Sequence, residues 1–164
     1  MAHQQLISWL DDAYSMEQGL IPILQTHADD LDAAIPGAAK RIRDHIGETR
    51  EHAARLTRCL AILNTRPSQV KSTISSLLGN VESVATRPFQ DELVKNALMD
   101  YASENLEAAC YRALAVAARQ LGHAEIAELC DQNRQEEEAM ARWLEQQLPV
   151  LVGRTLTLTP ATPR

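Results

Sequence analysis

Three glutamates occupy positions where a leucine would be expected. Glu17, Glu104 and Glu137 each fall on the apolar stripe of a long helical segment, and Glu48 lies at the edge of a fourth. An ionised carboxylate is costly to bury unless it is paired or holds a metal ion. Carboxylates aimed into one core from several helices could bridge and cap two metal ions, and the ions would offset the buried charge. At iron, open coordination positions would then admit dioxygen or peroxide.

The elements that must position these residues can be read from the apolar spacing. Residues 4–27 form a first helix, with Leu6, Trp9, Leu10, Ala13, Leu20, Ile21 and Leu24 in register. A second starts near Pro36, a residue suited to the first turn, and runs to Leu63 with Ile42, Ile46, Ala53, Leu56 and Leu60 inward. A third starts after Pro88 and stops near Gly122, and a fourth covers residues 124–148. Pro149 and Gly153 then interrupt the pattern. Residues 64–87 are too long for a tight turn and carry a short helical pattern of their own in Ile74, Leu77, Leu78 and Val81. Two antiparallel hairpins joined by a long crossover with a short extra helix form a ferritin-like four-helix bundle. In this reading the crossover lets the third helix start at the same end as the first. The bundle occupies residues 1–150, and residues 151–164 form a flexible tail rich in Thr and Pro.

In an antiparallel hairpin, residues equidistant from the turn lie level. Glu17 and Glu48 are centred between residues 32 and 33, and Glu104 and Glu137 between 120 and 121, both within expected loops. At about 100° per residue, Glu17, Glu104 and Glu137 fall within roughly 40° of their stripe centres. Glu107 lies about 60° away, His52 about 70° and Glu48 about 110°, so Glu48 needs a rotated helix to turn inward.

Composition narrows the alternatives. The chain has 164 residues, 45% apolar and 4% aromatic, which suits one helical domain with a full core. A net charge of −6 argues against a nucleic-acid surface, and the Lys40, Arg41, Arg43 cluster reads as a solvated face. Cys59, Cys110 and Cys130 lie far apart within apolar patterns, as reduced thiols of a cytoplasmic protein would. No Cys-x-x-Cys pair occurs, and no apolar run is long enough to span a bilayer. The start of the chain does not read as a signal peptide.

With these residues placed, the chain resembles the YciE/YciF family of bacterial ferritin-like stress proteins, whose core is similar to that of rubrerythrins. The resemblance covers roughly residues 3–148. It is carried by Asp11-Asp12-Ala13-Tyr14-Ser15-Met16-Glu17-Gln18, Glu48-Thr49, Glu104-Asn105-Leu106-Glu107 and Gln135-Glu136-Glu137-Glu138. It implies a cytoplasmic bundle, often a homodimer, with a dinuclear site and a place in the stress response. The common di-iron pattern has two Glu-x-x-His pairs. Here Glu51 follows Glu48 by three, His52 comes one later, and Met140 follows Glu137 by three. At most one histidine therefore remains among many carboxylates. The expected ligand set is Glu17, Glu48, His52, Glu104, Glu107 and Glu137, around two metal ions: iron or manganese, with zinc or magnesium as alternatives.

No residue is assigned a catalytic role at this stage. The functional reading is a metal-binding stress protein that oxidises Fe(II) with peroxide or dioxygen and draws on an external reductant. The rival is a non-enzymatic structural or partner-binding bundle with a residual polar core layer, and a third class is mineral storage in a cage. Tyr14 and Tyr101 are expected to hydrogen-bond carboxylates, and Glu136 and Glu138 to form a solvated face. His3, His27, His45 and His123 show no ligand spacing.

Overall fold

The computed structural model describes residues 1–32, 35–68 and 92–158. They form four helices: α1 (Ala2–Asp32), α2 (Pro36–Ile62), α3 (Glu92–Gln120) and α4 (Ala124–Leu158). The short helical pattern expected around Ile74 to Val81 lies outside the described residues. α1 packs mainly on α2 and α3 mainly on α4, with thinner seams between α1 and α3 and between α2 and α4.

Local chemistry sets the helix ends. Pro36 sits in the first turn of α2, where its missing N–H leaves no intrahelical bond unmade. α2 and α3 both stop in the same motif. Asn64 takes φ 56° and Gly122 takes φ 81°. The following amides, Thr65 and His123, donate back to the Leu60 and Ala118 carbonyls at 3.0 and 2.8 Å. α4 runs on past Leu148 to Leu158 and buries Leu151, so the first part of the expected tail is helical. Pro149 removes one backbone donor there, and packing of Leu151 against the core outweighs that loss.

Contacts across the seams fix the helix directions. Asp30 accepts from Asn96 at 2.9 Å, His27 meets Asp100 at 2.6 Å and Glu17 accepts from Tyr111. Residue numbers rise along α1 as they fall along α3, so these helices are antiparallel. The third helix thus starts at the opposite end from the first, against the sequence reading. α2 ends where α1 began, so a start there would need only a tight turn. A long connection is needed because the chain must return along the bundle.

The core has two apolar parts. One gathers Leu20, Leu24, Ile42, Ile46, Met140 and Leu144; the other gathers Leu6, Leu10, Leu56, Leu60, Leu114 and Ile126. Between them lies a buried polar layer of Glu17, His45, Thr49, His52, Glu104, Glu107, Asn133 and Glu137. Replacing Gly122 with Ala should lower stability by about 1 kcal/mol, because a Cβ is strained at positive φ. Urea unfolding checks this, and an unchanged midpoint would contradict the role given to Gly122.

Candidate metal centre

α2 supplies two histidines to the polar layer. His45 and His52 are seven residues apart, so two helical turns bring them onto the same inward face. Their rings lie edge to face with centroids 6.3 Å apart. Each ring is held from outside by a carboxylate. His45 Nδ1 lies 2.7 Å from Glu48 Oε2, and His52 Nε2 lies 2.7 Å from Glu136 Oε2. Each carboxylate is in turn held by an arginine. Arg41 donates to Glu48 at 3.2 Å, and Arg55 donates twice to Glu136, at 2.6 and 3.1 Å.

A carboxylate acceptor assigns the proton to the outer nitrogen of each ring. In the neutral ring the inner nitrogen is then left with a lone pair facing the core; without a cation, the inner nitrogen of His52 carries a second proton toward Glu137 and Glu17. His45 Nε2 lies 3.0 Å from Glu104 Oε2 and 3.6 Å from Glu137 Oε2. His52 Nδ1 lies 2.7 Å from Glu137 Oε1 and 3.5 Å from Glu17 Oε1. Glu137 therefore spans the site, with one oxygen toward each histidine. The result is two triplets, Glu17–His52–Glu137 and His45–Glu104–Glu137, each with donor atoms within 4.8 Å of one another.

These contacts are close but not aligned for hydrogen bonding. His52 Nδ1, Glu104 Oε2 and both Glu137 oxygens have no hydrogen-bond partner in the protein, nor do Glu17 Oε2 and Glu107 Oε1. Orphaned buried acceptors converging from different helices are what a cation would satisfy. Each triplet offers two carboxylates and one imidazole, a mixed set that suits iron, manganese or zinc better than magnesium.

The electrostatics point the same way. Burial, then the charge of Glu104, pushes Glu137 up to about 8. Burial also lifts Glu104 to about 8, with Asp100 and Glu17 adding to it. Burial raises Glu17 and Glu107 as well. For His52, burial acts downward, but Glu137 and Glu17 outweigh it and hold the ring up to about 10. Glu48 is held down to about 2, chiefly by His45. Glu136 is lowered because Arg55 and His52 outweigh its partial burial.

The expected residues are placed unequally. Glu17, Glu104, Glu137 and His52 come together in the triplets. Glu107 is buried beside them but belongs to neither triplet. Glu48 stays on the half-exposed edge of α2, its side chain 38% accessible, and orients His45 from outside. The rotation it would have needed does not occur. α1 reaches Asp32 rather than residue 27, which moves the turn along the chain and sets Glu17 level with His52.

Sequence reasoning missed three members. His45 is an inward-facing histidine; its signal was the seven-residue spacing to His52. Glu136 is engaged by His52 and Arg55 rather than being simply solvated, whereas Glu138 pairs with Arg134 near the surface. Tyr111, fully buried, donates to Glu17, the role expected of Tyr14 or Tyr101.

Four helices with a carboxylate and histidine layer at mid-height define a ferritin-like bundle with a candidate metal centre. Residues 1–157 match the family described as a domain of unknown function, DUF892, and the chain belongs to that family. A protein of Xanthomonas campestris shares 33% identity over 95% of this chain and 96% of its own, with a TM-score of 0.81. The Escherichia coli stress protein YciF shares 22% over 93% and 98%, with a TM-score of 0.77, so the similarity to YciE/YciF holds. A Desulfovibrio desulfuricans bacterioferritin, a protein with a diiron site, has the same fold. It shares 16% over 93% of this chain and 82% of its own, with a TM-score of 0.74. Among the described residues no helix is long and apolar enough to cross a membrane.

Stability should depend on pH in a particular direction. Folded Glu104 and Glu137 keep their protons to about 8, against 4.5 for an ordinary carboxyl, and His52 keeps its proton to about 10, against 6.5. Between those limits the folded chain binds more protons than the unfolded one. This contribution is full at low pH and is lost as pH rises. Glu48, held down to about 2, acts only below 4.5. Chelator-treated protein should therefore show a Tm that falls from about pH 5 to 8. A Tm that rises across this window would contradict the assignment.

Proposed function

We propose that the two triplets bind two metal ions, iron or manganese, in a stress protein that oxidises Fe(II). Glu17 and His52 would hold one ion, His45 and Glu104 the other, and Glu137 would be shared. The observation that carries this reading is Glu137, buried at mid-bundle, with both oxygens unbonded and one facing each histidine.

Charge balance supports two ions. Glu17, Glu104, Glu107 and Glu137 are buried together and carry four negative charges when ionised. Two divalent cations with neutral imidazoles balance them fully; two imidazolium rings would balance only half. The nearby guanidinium groups are engaged elsewhere, Arg41 by Glu48 and Arg55 by Glu136. When bound, iron would supply one-electron chemistry toward dioxygen or peroxide.

The chain's own groups have definable tasks. Glu48 and Glu136 keep the outer ring protons in place, so the inner nitrogens would be the ones to ligate, His52 giving up its inner proton to an incoming cation. The Tyr111 hydroxyl fixes Glu17 and is a proton donor inside the layer. The apolar clusters above and below exclude water from the layer. Glu107 is a reserve carboxylate beside the triplets, free of a partner at Oε1. On this reading the protein acts as a homodimer and takes electrons from an external reductant.

Elemental analysis of protein purified without a chelating tag should give about two metals per chain. Glu137→Gln should abolish both sites and Glu17→Gln one. Glu48→Gln and Glu136→Gln should weaken binding by about 10–100-fold without changing stoichiometry. Wild-type protein that takes up no Fe(II) or Mn(II) under anaerobic titration would refute the proposal and favour a structural bundle.

A further inference from the structure

We propose that Asp100 is the capture point of a loading path, through which divalent cations reach the buried carboxylates along the seam between α1 and α3. The proposal rests on the metal-centre reading and adds a second, transient cation site to it. The seam holds a cavity of about 330 Å³, walled by Ile23 and His27 from α1 and by Lys95, Met99, Asp100 and Ser103 from α3, among others.

The cavity changes character from mouth to wall. At its mouth Lys95 lies 3.8 Å from Glu92, so the two charges largely offset. Deeper in, Asp100 is 3% exposed. Its Oδ1 is fixed by His27 Nδ1 at 2.6 Å, and its Oδ2 has no hydrogen-bond partner. A buried carboxylate oxygen left unbonded beside a cavity is a strong attractor for a cation.

Position links this carboxylate to the centre. Glu104 is one helical turn further along α3, about 6 Å by helix rise. The two are close enough for the charge of Asp100 to act on Glu104. Ser103, also buried and in the cavity wall, precedes Glu104 by one residue. On the facing helix, Leu20 lines the cavity one turn from Glu17. A cation held at Asp100 therefore stands one carboxylate away from the Glu104 triplet, with the two hairpins meeting thinly at this seam. The aligned order of Asp100 then Glu104 lets a dehydrated ion pass between oxygen ligands instead of crossing apolar core.

Co(II) loading into chelator-treated full-length protein, followed by stopped-flow absorbance, separates this path from the centre itself. Asp100→Asn should slow loading at least tenfold with stoichiometry unchanged, while equilibrium affinity, which feels the Asp100 charge only through Glu104, shifts by less than the loading rate does. Ser103→Val, which narrows the cavity without touching a charge, should slow it likewise and serves if Asp100→Asn fails to fold. Unchanged loading rates in the folded variants would overturn the path. Loss of equilibrium binding in Asp100→Asn would also overturn it, by making Asp100 a ligand or a support of the fold. Wild-type protein that binds no Co(II) would remove the metal centre itself and this proposal with it.

Discussion

The burial of four carboxylates in one layer is the constraint on which the rest of this structure depends. Each carries an orphaned oxygen or an upward-shifted proton affinity, or both. Several kcal/mol of desolvation per ionised group, by order of magnitude, cannot be offset by a single tyrosine hydroxyl and two imidazoles. The chain tolerates the layer because apolar clusters above and below supply the folding energy, and because protons or cations neutralise it. Glu137 concentrates the problem: it has no hydrogen bond at either oxygen and lies at the meeting point of both triplets.

The outer ring of interactions shows the same logic repeated along one helix. Arg41, Glu48 and His45 form one relay from the surface inward; Arg55, Glu136 and His52 form another. In each the arginine and the histidine together keep the carboxylate ionised, His45 most of all for Glu48, and the carboxylate fixes the ring orientation. The histidines are therefore pre-positioned before any ligand arrives, which reduces the ordering required on binding. The half-exposed position of Glu48 is part of this device.

Much of this was legible in the sequence, and the gaps have physical causes. Glu17, Glu104 and Glu137 were readable because a charge on an apolar stripe has few explanations. Two hairpins and a long crossover followed from helix periodicity and loop length. The direction of α3 did not follow from a rule about shared ends; it required seeing that a long connection must traverse the bundle. His45 was hidden because a histidine on an inward face looks like an ordinary core residue, and only its spacing to His52 marks it. Glu48 is a candidate because it lies level with Glu17 about the expected first turn, but height along the hairpin does not set direction, and its angle leaves it on the half-exposed edge of α2. Glu136 reads as surface in any periodic analysis, since its role comes from Arg55 and His52 on a neighbouring helix. The helical stretch after Pro149 was lost to a breaker rule that the buried Leu151 overrides.

The most direct test of the central claim is anomalous diffraction from crystals equilibrated with Mn(II) or Fe(II) and recorded at the metal edge. Two adjacent anomalous peaks flanking the Glu137 carboxylate, one at coordination distance from His52 Nδ1 and the other from His45 Nε2, are the predicted result. No peak in the polar layer, or a single peak held at the surface by Glu48, would contradict the account.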